Sequence, residues 1–135
     1  MADLAYEYQD EGLLHACEKL YDNIIKKRMY LTGGIGSSGA YERFTTDYDL
    51  PNDTNYAESC ASIGLALFCR RMLAITGEEK YAETMECALM NTVTAGIALD
   101  GKSFFYVNPL EVWPDNCMDH TSMAHVKPVR QKWFG

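Results

Sequence analysis

The chain has 135 residues, and 12 basic against 19 acidic side chains give it a formal net charge of −7. Hydrophobic residues make up 47% of the sequence, which excludes a wholly disordered chain. The acidic balance argues against nucleic acid as the main partner, because a phosphate backbone attracts a basic surface. No apolar run approaches the roughly 20 residues of a membrane-spanning helix, so we expect no membrane partner.

The cysteines indicate the compartment in which the chain works. There are five, and no two have the spacing Cys-x-x-Cys. Such an odd set favours a reducing compartment with buried or metal-binding thiols over a disulfide framework. The N-terminus also lacks the basic segment and the apolar core of a signal peptide. We therefore expect a cytoplasmic protein.

The first half of the chain predicts one helix followed by loops. Residues 12–30 carry apolar side chains at three- and four-residue steps, which is typical of an amphipathic helix. Glycines crowd residues 31–39 and end that helix. Residues 41–55 are polar and aromatic and predict an ordered loop.

The second half predicts a helical hairpin. One helix covers residues 56–76, with Thr54 or Asn55 as its cap and Gly77 at its end. Its first part is apolar nearly all round, so we expect it to be buried on most sides. The next helix covers residues 79–95 and runs antiparallel to it. The helix at residues 56–76 is too apolar for the few packing partners that a short chain offers. This indicates that the chain is a piece of a larger all-α assembly.

Residues 97–107 predict a β-hairpin, because Asp100-Gly101 between apolar flanks favours a type I′ turn. The chain after Trp113 is irregular. His120 and His125 lie in that part, five positions apart, and give only a weak signal for a metal site.

Taken singly, the candidate site residues leave two interpretations open. The glycine string at 33–37 fits neither a dinucleotide fingerprint nor a P-loop, and favours a loop with positive φ or close backbone approach. Glu58 is either a catalytic carboxylate at a buried helix start or a helix-start residue without chemistry. By residue type alone, Cys60 favours the core, Glu42 and Glu86 favour solvent, and Tyr106 favours hairpin packing.

Read together, six motifs follow one another in a recognisable order. They are Tyr-Leu-Thr-Gly-Gly-Ile-Gly-Ser at 30–37, Tyr-Glu-Arg-Phe at 41–44, Asp-Leu-Pro-Asn at 49–52, Tyr-Ala-Glu-Ser-Cys-Ala at 56–61, Asp-Gly-Lys-Ser-Phe-Phe-Tyr-Val-Asn-Pro-Leu at 100–110, and Lys-Trp-Phe-Gly at 132–135. In this order they resemble glycoside hydrolase family 127, the β-L-arabinofuranosidases and their relatives. The motifs are unrelated to one another, which makes the resemblance specific.

The resemblance implies a mainly α fold, namely part of an (α/α)6 barrel with a small β-hairpin, spanning residues 1–135. It also implies a zinc-dependent retaining glycosidase that acts on a small carbohydrate, a β-L-arabinofuranoside. In that family one glutamate and three cysteines hold zinc, one of these cysteines is the nucleophile, and a separate glutamate is the general acid/base.

Residue by residue, the resemblance makes Glu58 the acid/base and makes Glu42 and Cys60 zinc ligands. Tyr106 resembles a sugar-contacting tyrosine, and Glu86 matches a glutamate near the sugar. The nucleophile belongs to a Cys-Cys motif that follows Trp-Phe-Gly in the family, and Cys117 does not occupy that motif. We therefore expect this chain alone to be inactive.

Two alternatives stay open on the sequence. The first is a small helical interaction module without catalysis, and the second is part of a hydrolase of the same fold that acts on another sugar. The arrangement of Glu42 and Cys60 separates the first alternative from an enzyme, because a shared zinc ion requires their side chains to converge.

Overall fold

The computed structural model describes residues 1–112 and the backbone of residues 130–132. The elements in chain order are α1 (Ala2–Tyr8), α2 (Glu11–Lys27), a 3-10 turn (Ala40–Glu42), α3 (Ser59–Thr76), α4 (Glu79–Ala88), a π-helix (Leu89–Thr94), β1 (Ser103–Phe105) and β2 (Arg130–Lys132). His120, His125, Cys117 and the motif end at 133–135 lie outside the described residues. The described part is mainly helical, as the sequence predicts.

Helix α2 confirms the amphipathic pattern. The Asp10 carboxylate accepts a hydrogen bond from the Leu13 N–H at 3.0 Å and so caps the first turn. Cys17 and Tyr21 are buried on its inner face. Helix α1, by contrast, was not predicted, because its seven residues bury only Ala2 and Ala5 and so give no readable apolar stripe.

The predicted start and cap of α3 were wrong. The helix begins at Ser59 with Glu58 in the cap position, and no side chain caps it. Ala57 lies at φ 37°, and its N–H donates to Gly36 O at 2.8 Å instead of entering the helix. Residues 55–57 are thus tied to neighbouring loops. The predicted end is confirmed, since Gly77 adopts φ 71° and its N–H donates to Leu73 O.

Burial of α3 is one-sided among the described residues, whereas the sequence predicts burial on most sides. Ser62, Leu65, Cys69 and Met72 lie on its buried face. Ile63 and Leu67 on the other side are 40% and 58% exposed. By length and composition α3 could cross a membrane, although the core helix of a soluble protein passes the same test.

The core is formed where α2, α3 and α4 meet. The Tyr21 and Tyr81 rings pack with centroids 4.5 Å apart, and the Tyr21 hydroxyl bonds to the Thr84 hydroxyl at 2.8 Å. Cys17, Cys69 and Met72 complete the buried cluster. Helix α4 continues past Ala88 as the π-helix to Thr94, so the predicted helix at 79–95 is present with a change of winding.

The predicted β-hairpin is only partly formed. The turn is present, with the Gly101 N–H donating to Ala98 O at 2.8 Å, but the sole positive φ in it belongs to Gly101. A type I′ turn needs positive φ at both central residues, so this turn is of another type. Residues 97–99 contribute a single bridge, Ile97 to Phe104. Strand β1 pairs instead with β2, antiparallel, with Phe104 opposite Gln131.

The glycine-rich loop packs against the end of α4, which confirms its predicted role. Gly33 has φ 83°, and a Cβ atom there would lie 2.7 Å from the backbone of Ala88. Only glycine permits both this conformation and this approach.

We expect Gly33→Ala to destabilise the protein more than Gly77→Ala. Both glycines have a positive φ, but nothing lies within 4 Å of a Cβ at Gly77. The Gly77 change should therefore cost only the left-handed strain of about 1–2 kcal/mol, while Gly33→Ala should cost several times that, roughly 3–5 kcal/mol. Denaturation midpoints of the two full-length variants measure the difference, and equal midpoints would contradict the close packing.

Candidate active site

The start of α3 is fixed to the segment that carries Tyr106. The Ser59 N–H donates to Tyr106 O at 2.9 Å, and the Ser59 hydroxyl donates to Phe105 O at 2.7 Å. Glu58 forms an antiparallel bridge with Val107. These bonds hold the side chains of Glu58 and Tyr106 at one place.

Asn108 fixes the same point from the other side. Its Nδ2 donates to Ala57 O at 2.9 Å and to the Ser59 hydroxyl at 3.1 Å. One amide side chain therefore contacts the residue before Glu58 at its carbonyl and the residue after it at its hydroxyl. It is not a helix cap, because Nδ2 donates, and the Ser59 N–H bonds to Tyr106 O instead.

Glu58, Cys60 and Tyr106 are in mutual contact. A hydrogen bond from the Tyr106 hydroxyl to the Glu58 carboxylate, together with burial, raises the pKa of Tyr106. The Cys60 sulfur lies 3.9 Å from the Tyr106 hydroxyl. Desolvation and the adjacent Glu58 carboxylate, to which the thiol also hydrogen-bonds, raise the pKa of Cys60. The cluster thus joins a carboxylate, a thiol and a phenol.

Glu42 reaches the cluster through Tyr56. The Tyr56 hydroxyl donates to Glu42 Oε1 at 3.0 Å. The Tyr56 ring meets the Tyr106 ring edge-on, with centroids 6.3 Å apart and an interplanar angle of 63°. Burial, and then the bond to Glu42, raise the pKa of Tyr56. Both tyrosines therefore remain protonated hydrogen-bond donors at neutral pH.

The loop that carries Glu42 is held at both ends. Backbone bonds pair Ser38 with Arg43, and the Ser37 and Thr45 hydroxyls lie 2.6 Å apart. Arg28, at the end of α2, donates to Thr45 O at 2.6 Å. Tyr41 and Glu42 themselves adopt left-handed backbone angles, φ 61° and 49°. Such angles are uncommon for these residue types and depend on the surrounding bonds.

The structure thus brings four of the five predicted site residues into one connected group: Glu42, Glu58, Cys60 and Tyr106. Glu86 is exposed on α4, and no side-chain hydrogen bond or ion pair within the described part links it to the group. Its predicted contact with sugar stays a prediction. Tyr56 and Asn108 were missed as site residues, although both lie inside the quoted motifs. The alternation of Tyr56, Glu58 and Cys60 at every second position is the signal that could have identified Tyr56.

Carboxylate and thiolate donors suit zinc, and Glu58 with Cys60 offers one of each in contact. In residues 1–112 no group of three or more histidine, cysteine, aspartate or glutamate side chains converges on one point. A four-coordinate zinc site therefore needs donors beyond those described. Among residues 1–112, Glu42 accordingly does not form a three-donor group with Glu58 and Cys60.

Comparison with known proteins gives one consistent result. The family model "Beta-L-arabinofuranosidase, GH127 catalytic domain" matches residues 1–135. The non-reducing end β-L-arabinofuranosidase of Bifidobacterium longum subsp. longum is 46% identical over 126 residues, which cover 93% of this chain and 19% of that protein.

Solved structures agree. A GH127 β-L-arabinofuranosidase from Geobacillus stearothermophilus T6 superposes with a TM-score of 0.91 at 58% identity, covering 99% of this chain and 21% of that one. A second GH127 β-arabinofuranosidase superposes with a TM-score of 0.79 at 44% identity, covering 82% of this chain and 17% of that one. The chain thus spans about a fifth of the length of these relatives.

We expect Asn108→Asp to destabilise the start of α3. The carboxylate has the same shape but cannot donate, so Ala57 O loses its partner and faces a negative charge, at a cost of roughly 1–3 kcal/mol. Asn91→Asp is the matched control, because the exposed Asn91 donates, among the described residues, only to the Cys87 sulfur at 3.7 Å. Thermal denaturation of the full-length variants compares the two, and a similar small shift in both would contradict a stabilising role for the Asn108 hydrogen bonds.

Proposed function

Because the family model spans residues 1–135 and the solved relatives superpose closely, the chain belongs to glycoside hydrolase family 127, and we propose that it forms part of a β-L-arabinofuranosidase. Its helices are part of the (α/α)6 barrel of those enzymes. The match favours the enzyme over an interaction module. Since the chain spans about a fifth of its relatives, the proposed activity is that of the full-length protein.

The proposed reaction is hydrolysis of a terminal β-L-arabinofuranoside with retention of the anomeric configuration. The name of the Bifidobacterium relative, which specifies the non-reducing end, supports the substrate class. Retention requires a nucleophile that forms a glycosyl-enzyme bond and an acid/base that serves both half-reactions. In this proposal the nucleophile is a cysteine outside the described residues.

The contacts favour an exchange of the two carboxylate roles that the resemblance assigns. The resemblance implies that Glu42 and Cys60 are zinc ligands and that Glu58 is the acid/base. In the structure it is Glu58 that hydrogen-bonds to the Cys60 thiol, whereas Glu42 is held by Tyr56. A carboxylate and a thiol that share one ion must lie together. We therefore assign Glu58 with Cys60 to zinc and Glu42 to acid/base catalysis, and the Glu58–Cys60 contact is the observation that carries this assignment.

Zinc bound here would favour the thiolate form of its cysteine ligands. Glu58 and Cys60 would supply two of its donors, and the proposed Cys-Cys motif of the full-length protein would supply the others. Without a cation nearby, burial and the Glu58 carboxylate raise the pKa of Cys60 and favour the thiol form.

Glu42 and the tyrosines supply the remaining chemistry. The Glu42 carboxyl donates its proton to the leaving oxygen in the first half-reaction, and its carboxylate takes a proton from water in the second. The Tyr106 hydroxyl donates to Glu58, and its oxygen is suited to accepting a hydrogen bond from a sugar hydroxyl. Glu86 on α4 is retained as a proposed sugar contact.

We expect Glu42→Gln and Glu58→Gln to fail in different ways in the full-length protein. Glu42→Gln should retain zinc and lose turnover of an aryl β-L-arabinofuranoside by roughly 10²–10⁴-fold, because only the proton transfer is removed. Glu58→Gln should lose zinc as well as turnover. Metal analysis after dialysis and L-arabinose release measure both effects, and Glu83→Gln, exposed on α4, is the matched control.

The reverse pattern would overturn the exchange. Zinc lost from Glu42→Gln but kept by Glu58→Gln would restore the roles that the resemblance implies. Unchanged turnover in both variants would contradict a catalytic role for either carboxylate.

A further inference from the structure

We propose that the Tyr56 hydroxyl is a positioning group that fixes which oxygen of Glu42 carries the transferable proton. The inference rests on the proposed function and adds to it a residue that acts through Glu42 without touching the substrate. The carrying observation is the hydrogen bond from the Tyr56 hydroxyl to Glu42 Oε1 at 3.0 Å.

Tyr56 is placed rigidly enough to do this. It is only 2% exposed, although Glu42 itself lies at the surface. Its ring packs edge-on against Tyr106, and the next residue is fixed by the bond from the Ala57 N–H to Gly36 O at 2.8 Å. The donor is therefore ordered by the fold before any substrate binds. A buried donor with a fixed ring loses little further freedom when it makes this bond.

Glu42 needs such a partner because of where it lies. It sits in a short 3-10 turn with a left-handed backbone, and its long side chain is exposed to solvent. An exposed glutamate has several rotamers of similar energy. A bond from a buried donor selects one of them and so defines where the carboxyl group lies relative to Tyr106 and Glu58.

The bond also distinguishes the two carboxyl oxygens. A neutral carboxyl group has one carbonyl oxygen that accepts hydrogen bonds well and one hydroxyl oxygen that donates. Since Tyr56 donates to Oε1, the carbonyl character is favoured there and the proton is favoured on Oε2. A tyrosine hydroxyl is protonated throughout the neutral range and so remains a donor.

The proton balance in the first half-reaction follows. The proton leaves Glu42 Oε2 and binds the glycosidic oxygen. The electron pair of the bond between the anomeric carbon and that oxygen goes to the oxygen, and the anomeric carbon bonds to the nucleophilic cysteine thiolate of the full-length protein. Tyr56 then stabilises the Glu42 carboxylate that is left. In the second half-reaction water returns a proton to that carboxylate as its oxygen attacks the anomeric carbon and releases the thiolate.

The test uses Tyr56→Phe in the full-length protein and a series of aryl β-L-arabinofuranosides whose phenols differ in acidity. We expect kcat/KM, which reports the first half-reaction alone, to fall by roughly tenfold or more for the least acidic phenol, which needs the proton most, and to change little for the most acidic one. Zinc content should stay unchanged. Tyr30→Phe is the matched control, because Tyr30 is equally buried and its hydroxyl has no hydrogen-bond partner among the described residues.

Two outcomes in solution would overturn the proposal. An equal fall of kcat/KM for every phenol would show that the hydroxyl matters only for general integrity, and loss of zinc would show that it supports a metal ligand. A crystal structure of Tyr56→Phe gives a readout without substrate. A displaced Glu42 carboxyl supports the positioning role, and an unmoved one contradicts it.

The same design separates this inference from the proposed function. A wild-type protein that releases no arabinose from any of these substrates would contradict the proposed function. The position of Glu42 in the Tyr56→Phe crystal would still decide whether Tyr56 positions it.

Discussion

The site depends on the hydrogen bonds that join the first residues of α3 to the segment around Tyr106. A helix start leaves several backbone N–H groups without partners, and here the Ser59 N–H donates across to Tyr106 O. One local requirement of the helix thereby fixes a tertiary contact. Glu58, Cys60 and Tyr106 converge because their backbones are joined at this junction, and Asn108 holds the junction from the other side.

The second carboxylate is linked to this junction through the side chain of Tyr56. Glu42 belongs to a surface loop, and its link to the cluster passes through the buried Tyr56 and the ring of Tyr106. The arrangement keeps the two carboxylates in different environments. One lies against a thiol and a phenol, and the other accepts from a buried phenol while remaining near solvent. Carboxylates in different environments can take different roles in a reaction.

Sequence reasoning worked where the determining interactions are local. Helix α2 follows from the three- and four-residue spacing of its apolar side chains. The end of α3 follows from Gly77, because its left-handed backbone angle depends only on local sequence. It failed for the start of α3 because Asn108, about 50 positions away, holds the backbone at Ala57. It failed for the hairpin because β1 takes its partner from residues 130–132. The motifs contain the four residues that the structure brings together, but the Glu58–Cys60 contact depends on how the chain enters the helix.

Left-handed backbone angles occur at Glu42 itself and at a neighbour of each carboxylate, Tyr41 before Glu42 and Ala57 before Glu58. Each costs of the order of 1–2 kcal/mol, and the surrounding hydrogen bonds offset that cost when the chain folds. The free-energy cost of these backbone angles is therefore offset when the chain folds, and substrate binding does not have to offset it. In this part of the site the two carboxylates are therefore already in place before a ligand arrives. Groups held in advance lose little freedom on binding, so this part contributes rigid complementarity.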